Sequence, residues 1–152
     1  MAIDKNFIDQ FIKVTSKAAL SSSYLVGKKD KIAADKAAVD SMRSELNKMN
    51  IRGEIVIGEG ELDEAPMLYI GEKVGNKKGP ELDIAVDPLE GTNFAANNLP
   101  GALSVIAISE KNNLLNAPET YMEKITTRIT EKNVIDLDYS VKKNISNLSD
   151  YL

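Results

Sequence analysis

The chain has 152 residues, 43% of them hydrophobic and 28% charged, which suits one globular domain burying roughly 68–70% of its unfolded surface. It contains no Cys and no His, which excludes a disulfide framework, a thiolate zinc site, a Ser-His-Asp triad and any imidazole base. A net charge of −4, with no more than two adjacent Lys anywhere, excludes a nucleic-acid-binding face.

From residue 4 to about residue 25, Phe7, Ile8, Phe11, Ile12, Val14, Ala18 and Ala19 recur at helical spacing and predict an amphipathic helix. No basic region followed by an apolar one precedes it, and no stretch approaches the roughly 20 apolar residues of a membrane span. The expectation is a soluble, cytoplasmic protein with no membrane partner. Gly27-Lys28-Lys29-Asp30 breaks the helix, and a second is expected over about residues 33–50, with Ala38, Met42, Leu46 and Met49 on one stripe.

The period then changes. Ile55-Val56-Ile57, Ile84-Ala85-Val86 and residues 102–108 are short apolar runs with the look of buried strands. Residues 66–74 read as a short helix or an irregular connection. Asn116-Ala117-Pro118-Glu119 has a capping residue, an early Pro and a following Glu, so a helix is expected to about Ile125. Val134-Ile135-Asp136-Leu137 suits a further strand, and Val141, Ile145, Leu148 and Leu152 keep helical spacing to the last residue. Helices before and between short strands indicate the α/β class, as a single domain over residues 1–152.

Three segments place acids where a core would not want them. Asp35 begins the apolar stripe of the second helix, where a carboxylate is costly unless something positive meets it; an N-cap would also suit it. Glu59 follows a buried strand and Gly58, in a loop that serves equally as a solvated turn. In Asp87-Pro88-Leu89-Glu90-Gly91-Thr92, an apolar strand delivers Asp87 to its carboxyl end, where open α/β sheets place their ligands. Pro88 fixes a turn that lets Glu90 fold back towards Asp87, and Gly91 and Thr92 open a short helical turn through Asn97. Asp35, Glu59, Asp87 and Glu90 are four hard oxygen donors without nitrogen or sulfur, a set that selects Mg²⁺ or Mn²⁺ in a two-metal site.

Residues 87–92 resemble the DPxDGT-type signature of the lithium-sensitive, metal-dependent sugar and inositol phosphatases. The longer stretch IVIGEGELDEAPMLYIGEKV (55–74) is similar specifically to class II fructose-1,6-bisphosphatases, as are residues 28–47 and 116–125. The resemblance runs from about Phe7 to Leu148. It implies that Asp35 and Glu59 hold one metal, and Asp87 and Glu90 the other. It further implies that Glu90, Gly91 and Thr92 line the scissile phosphate, with Thr92 positioning the attacking water. Tyr121 would contact the sugar phosphate, and Asp63 and Lys31 would lie near the reaction centre.

The implied activity is hydrolysis of the 1-phosphate of fructose 1,6-bisphosphate in gluconeogenesis, by a full-length homo-oligomer. The implied fold is the N-terminal α/β part of a layered α/β/α/β/α phosphatase, with two helices packed on a sheet. Members of that family are about twice this length, so little or no activity is expected of these 152 residues alone. Sedoheptulose 1,7-bisphosphate or inositol monophosphate are the alternative substrates. A non-catalytic metal-binding remnant or association module is the alternative of a different class.

Overall fold

A computed structural model describes residues 5–59, 67–115 and 122–152, which form two compact units, Met1–Ala117 and Pro118–Leu152. The first unit begins with α1 (Lys5–Ser23) and α2 (Lys31–Lys48), followed by β1 (Arg52–Ile57), β2 (Lys73–Val74), β3 (Glu81–Glu90), α3 (Thr92–Ala96) and β4 (Leu103–Glu110). Alanines at Ala18, Ala34 and Ala38 are fully buried, which lets α1 and α2 approach closely. Met42 and Leu46 continue the α2 stripe into the core shared with Ile55, Leu82, Ile84 and Val86 of the sheet. The apolar stripe of α2 therefore does what its spacing predicts, whereas in α1 Phe11, Val14 and Ala18 are buried and Ile8, Ile12 and Ala19 are exposed.

The sheet order is β2-β1-β3-β4, with β1 and β3 parallel and the two outer pairings antiparallel. The two N-terminal helices pack against it, giving the expected α/β arrangement. Two differences from the sequence-based expectation have clear physical causes. The α2 cap is Asp30, whose carboxylate accepts from the Ala33 amide at 2.9 Å. Asp35 lies in the second turn, so the N-cap reading of Asp35 does not hold. β4 is an edge strand whose residues alternate between exposed and half-buried, with Leu103 60% exposed, so it is not the buried strand its composition suggests. Residues 66–74 yield an irregular connection over 67–72 and then the two-residue strand β2, fixed by antiparallel pairing with Gly53 and Glu54.

In the second unit, α4 (Val141–Tyr151) starts at the cap Ser140, whose hydroxyl accepts from the Lys143 amide. Residues 122–125 carry no regular structure, so that part of the helix expected to Ile125 is absent; residues 116–121 of it lie outside the described residues. Residues 134–137 form turns and not a strand. The Asn144 side chain both accepts from the Asp136 amide and donates to the Asp136 carbonyl, satisfying groups that a ladder would otherwise use. No described helix is long and apolar enough to cross a membrane.

Candidate active site

The site is built at the carboxyl ends of β1 and β3, against the start of α2. A turn between α1 and α2 sets that start: the Gly27 amide donates to the Ala95 carbonyl at 3.0 Å, and the Lys29 amide to that of Ala96 at 2.8 Å. These two bonds tie the beginning of α2 to α3, which follows directly after Glu90 and Gly91. Residues at the start of one helix and the end of a strand about fifty positions later thus become neighbours.

β3 continues three residues beyond Asp87, with an irregularity in its ladder to β4 between Asp87 and Glu90. Pro88 therefore sits in a strand bulge, a place where a missing amide hydrogen is tolerated, and does not make a turn. The bulge still achieves the expected approach, because the Asp87 and Glu90 side chains lie within hydrogen-bonding reach of each other. The Leu89 amide donates to Asp87 Oδ1 at 3.1 Å. Gly91 then turns the chain with a left-handed φ of +81°, and its carbonyl accepts from Phe94 and Ala95 to begin α3. Thr92 is the first residue of that helix and half-buried.

Asp35 is half-buried, and its Oδ1 makes no hydrogen bond among the described residues. Burial raises its pKa. Asp87 is pushed from an ordinary 3.8 up to about 6 by burial first, then by the Glu90 carboxylate and by the charge of Asp35, against a smaller lowering from the Leu89 amide. Asp35, Asp87 and Glu90 are therefore electrostatic neighbours. Glu59, half-buried, follows the end of β1, its amide held by the Leu68 carbonyl at 3.1 Å. Lys31 is the exposed first residue of α2, a turn before Asp35. Asp63 and Tyr121 lie outside the described residues.

The donor chemistry fits a hard divalent cation: carboxylates only, one buried oxygen unpaired, and repulsion that raises a pKa. Among the described residues no three acids already stand at the spacing of a ligand shell. Asp35, Asp87 and Glu90 are thus electrostatic neighbours without standing as a ligand shell. By contrast Glu54 and Asp83, also acids of this sheet, are met by cations: Glu54 by Lys73 at 2.5 Å and by Lys111, and Asp83 by Lys111 at 3.4 Å.

The raised Asp87 pKa has a measurable consequence in metal-free solution. Below pH 3.8 the carboxyl is protonated whether folded or unfolded, and it costs nothing. Between 3.8 and about 6 the folded state holds the proton more tightly, so rising pH lowers stability, and above 6 the penalty is complete. Asp87→Asn removes this titration. Its stability relative to the parent, from urea unfolding in chelator, should rise between pH 4 and 6 and stay level above. A difference independent of pH would show that Asp87 titrates normally.

Arg43 was not singled out by sequence reasoning. The Gly27 break was visible, but its pairing with α3 was not. Arg43 gave no local signal, because its partner Glu72 lies 29 residues away.

Comparison with known proteins identifies the family. The family model described as bacterial fructose-1,6-bisphosphatase, glpX-encoded, matches residues 5–152. A protein of Prochlorococcus marinus (strain MIT 9303) is 47% identical over 150 residues, which are 99% of this chain and 45% of the relative. One of Synechococcus sp. (strain RCC307) is 48% identical over the same shares. Both are named D-fructose 1,6-bisphosphatase class 2/sedoheptulose 1,7-bisphosphatase. The chain spans less than half the length of these curated relatives. With the match covering nearly all of its own residues, this chain belongs to the glpX-encoded bacterial fructose-1,6-bisphosphatase family.

Proposed function

We propose that this chain forms the metal-binding part of a phosphoric monoester hydrolase that converts fructose 1,6-bisphosphate to fructose 6-phosphate and phosphate. The setting is gluconeogenesis in the cytoplasm, by an oligomer of the full-length enzyme. The observation that carries this reading is that the Asp87 carboxylate is pressed by burial, by Glu90 and by the charge of Asp35, beside the Gly91-Thr92 turn. Asp35 and Glu59 would hold one ion, and Asp87 and Glu90 the other. Bound Mn²⁺ or Mg²⁺ supplies a water of lowered pKa and offsets charge on the leaving oxygen.

The chain's own residues would then orient the reactants. Glu90, Gly91 and Thr92 line the 1-phosphate, with the left-handed Gly91 leaving room for close approach of backbone to phosphate. The Thr92 hydroxyl positions the attacking water. The resemblance would add Lys31 and Asp63 near the reacting group and Tyr121 at the sugar phosphate. Because the relatives' name pairs two sugar bisphosphates, sedoheptulose 1,7-bisphosphate is the second substrate.

Phosphate release tests the reading. It is measured with Mn²⁺ on both sugar bisphosphates and on inositol monophosphate. The chain is assayed alone and together with the part of the Prochlorococcus relative that this chain does not match. Negligible release alone, and Mn²⁺-dependent release from fructose 1,6-bisphosphate on combination, is expected. Metal binding with no release in any combination would overturn the hydrolase reading in favour of a non-catalytic metal-binding remnant.

A further inference from the structure

Asp35 near the start of α2 and Glu59 just past the end of β1 are separated in sequence by the length of both elements, yet as ligands of one ion they would have to keep a fixed separation. Arg43 is on the same helix as Asp35, eight residues later and about 12 Å along the axis. Its guanidinium grips the connection between β1 and β2 in three places. Nε donates to Glu72 Oε1 at 2.7 Å, Nη2 donates to Glu72 Oε2 at 3.1 Å, and Nη2 also donates to the Met67 carbonyl. Both partners are largely shielded from solvent, with side-chain exposures of 24% for Arg43 and 12% for Glu72.

The gripped segment in turn holds the end of β1. The Leu68 carbonyl accepts from the Glu59 amide, the Gly71 amide donates to the Ile55 carbonyl at 2.7 Å, and the Ile55 amide donates to the Glu72 carbonyl at 2.9 Å. The approach is tight: a Cβ on Gly58 would lie 2.2 Å from the Leu68 carbonyl oxygen. An unbroken series of contacts therefore runs from the helix of Asp35, through Arg43, Glu72 and residues 67–68, to the backbone of Glu59.

We propose that Arg43 is a positioning residue for the metal centre, fixing where Glu59 stands relative to Asp35. The bidentate fork is what makes this possible, since two parallel bonds set an orientation as well as a distance. A lysine keeps the charge but not the fork, so Arg43→Lys should loosen the register while retaining much of the attraction. The proposal rests on the metal-centre reading above, and its test separates the two.

The test compares the parent chain with Arg43→Lys and Glu72→Gln, the second retaining the Arg43 bond to the Met67 carbonyl. The Lys48–Glu45 pair at the far end of the same helix supplies a control, Lys48→Met. Two quantities are read: amide hydrogen exchange at Glu59 without metal, and the Mn²⁺ concentration giving half of the maximal thermal shift. In both test variants, Glu59 exchange should quicken at least tenfold, with Ile84 in β3 unchanged. The Mn²⁺ midpoint should rise roughly tenfold to a hundredfold, the range seen when supporting residues of metal ligands are lost.

A staple that only stabilises would lower the metal-free melting temperature and leave the midpoint unmoved, and that result overturns the proposal. Unchanged Glu59 exchange overturns it as well, whatever the metal does. Absence of any Mn²⁺ response in the parent would instead bring down the metal-centre reading, with the exchange data still deciding whether Arg43 holds Glu59.

Discussion

Millimolar Mn²⁺ or Mg²⁺ is expected to raise the melting temperature of this chain by roughly 5–10 °C, and Asp87→Asn or Asp35→Asn to abolish most of that rise. A ligand at a hundredfold excess over its Kd stabilises the folded state by about 2.7 kcal/mol, and a chain of this size gains roughly 2–4 °C per kcal/mol. The source is the uncompensated charge at the site. Asp35 has a buried oxygen without a hydrogen bond among the described residues, and Asp87 is held against Glu90. A cation that relieves this repulsion binds the folded chain better than the unfolded one. The same logic gives each variant two effects of opposite sign: losing a carboxylate should raise metal-free stability and lower the response to metal. Glu54 and Asp83 offer no competing site, because Lys73 and Lys111 already occupy them. A melt unmoved by millimolar metal would remove the metal centre from consideration.

What the sequence disclosed about this arrangement follows the range of the interactions involved. α1 and α2 were legible because burial repeats every helical turn, and the alanines and Met42 on the inner face leave that period in the residues themselves. The short helix after Glu90 was legible for a similarly local reason, a glycine at the one position that needs a positive φ. The misplaced cap shows a limit of local signals. Asp30 and Asp35 are both plausible caps by type, and what decides between them is the turn that Gly27 and Lys29 build against α3, a contact between distant parts of the chain. β4 was misjudged because apolar composition records the side chains but not the strand's place at the sheet edge. Residues 134–137 have strand-like composition, but the Asn144 side chain intercepts the backbone of Asp136 from eight residues away. The acids of the site were recognisable individually from their odd positions beside apolar runs. Their meeting depends on the α2–α3 tie and the bulge before Glu90, neither of which has a sequence signature.

Two aspartates four residues apart on one strand should respond to mutation in opposite ways, and this is the sharpest expectation for the reaction. In this chain combined with the part of the Prochlorococcus relative that it does not match, Asp87→Asn is expected to lower kcat by more than roughly a hundredfold, the cost of even small misplacement in a catalytic constellation. Asp83→Asn should leave kcat within about twofold while lowering stability by on the order of 1 kcal/mol. The difference comes from where each side chain goes. Asp83 is 2% exposed and faces Lys111, so its charge is already used within the fold. Lys111 keeps Glu54 when Asp83 is neutralised and is itself one-third exposed, which is why the stability cost stays small. Asp87 faces Glu90 and Asp35 and has no cation against it among the described residues, so its charge opposes folding and would be free to hold a metal. Removing it should therefore cost turnover without costing stability. Steady-state phosphate release and urea unfolding on the same two proteins decide the matter. Equal loss of kcat in both would mean that the reacting groups lie along the middle of β3, and that the end of the strand at Asp87–Glu90 is not the active site.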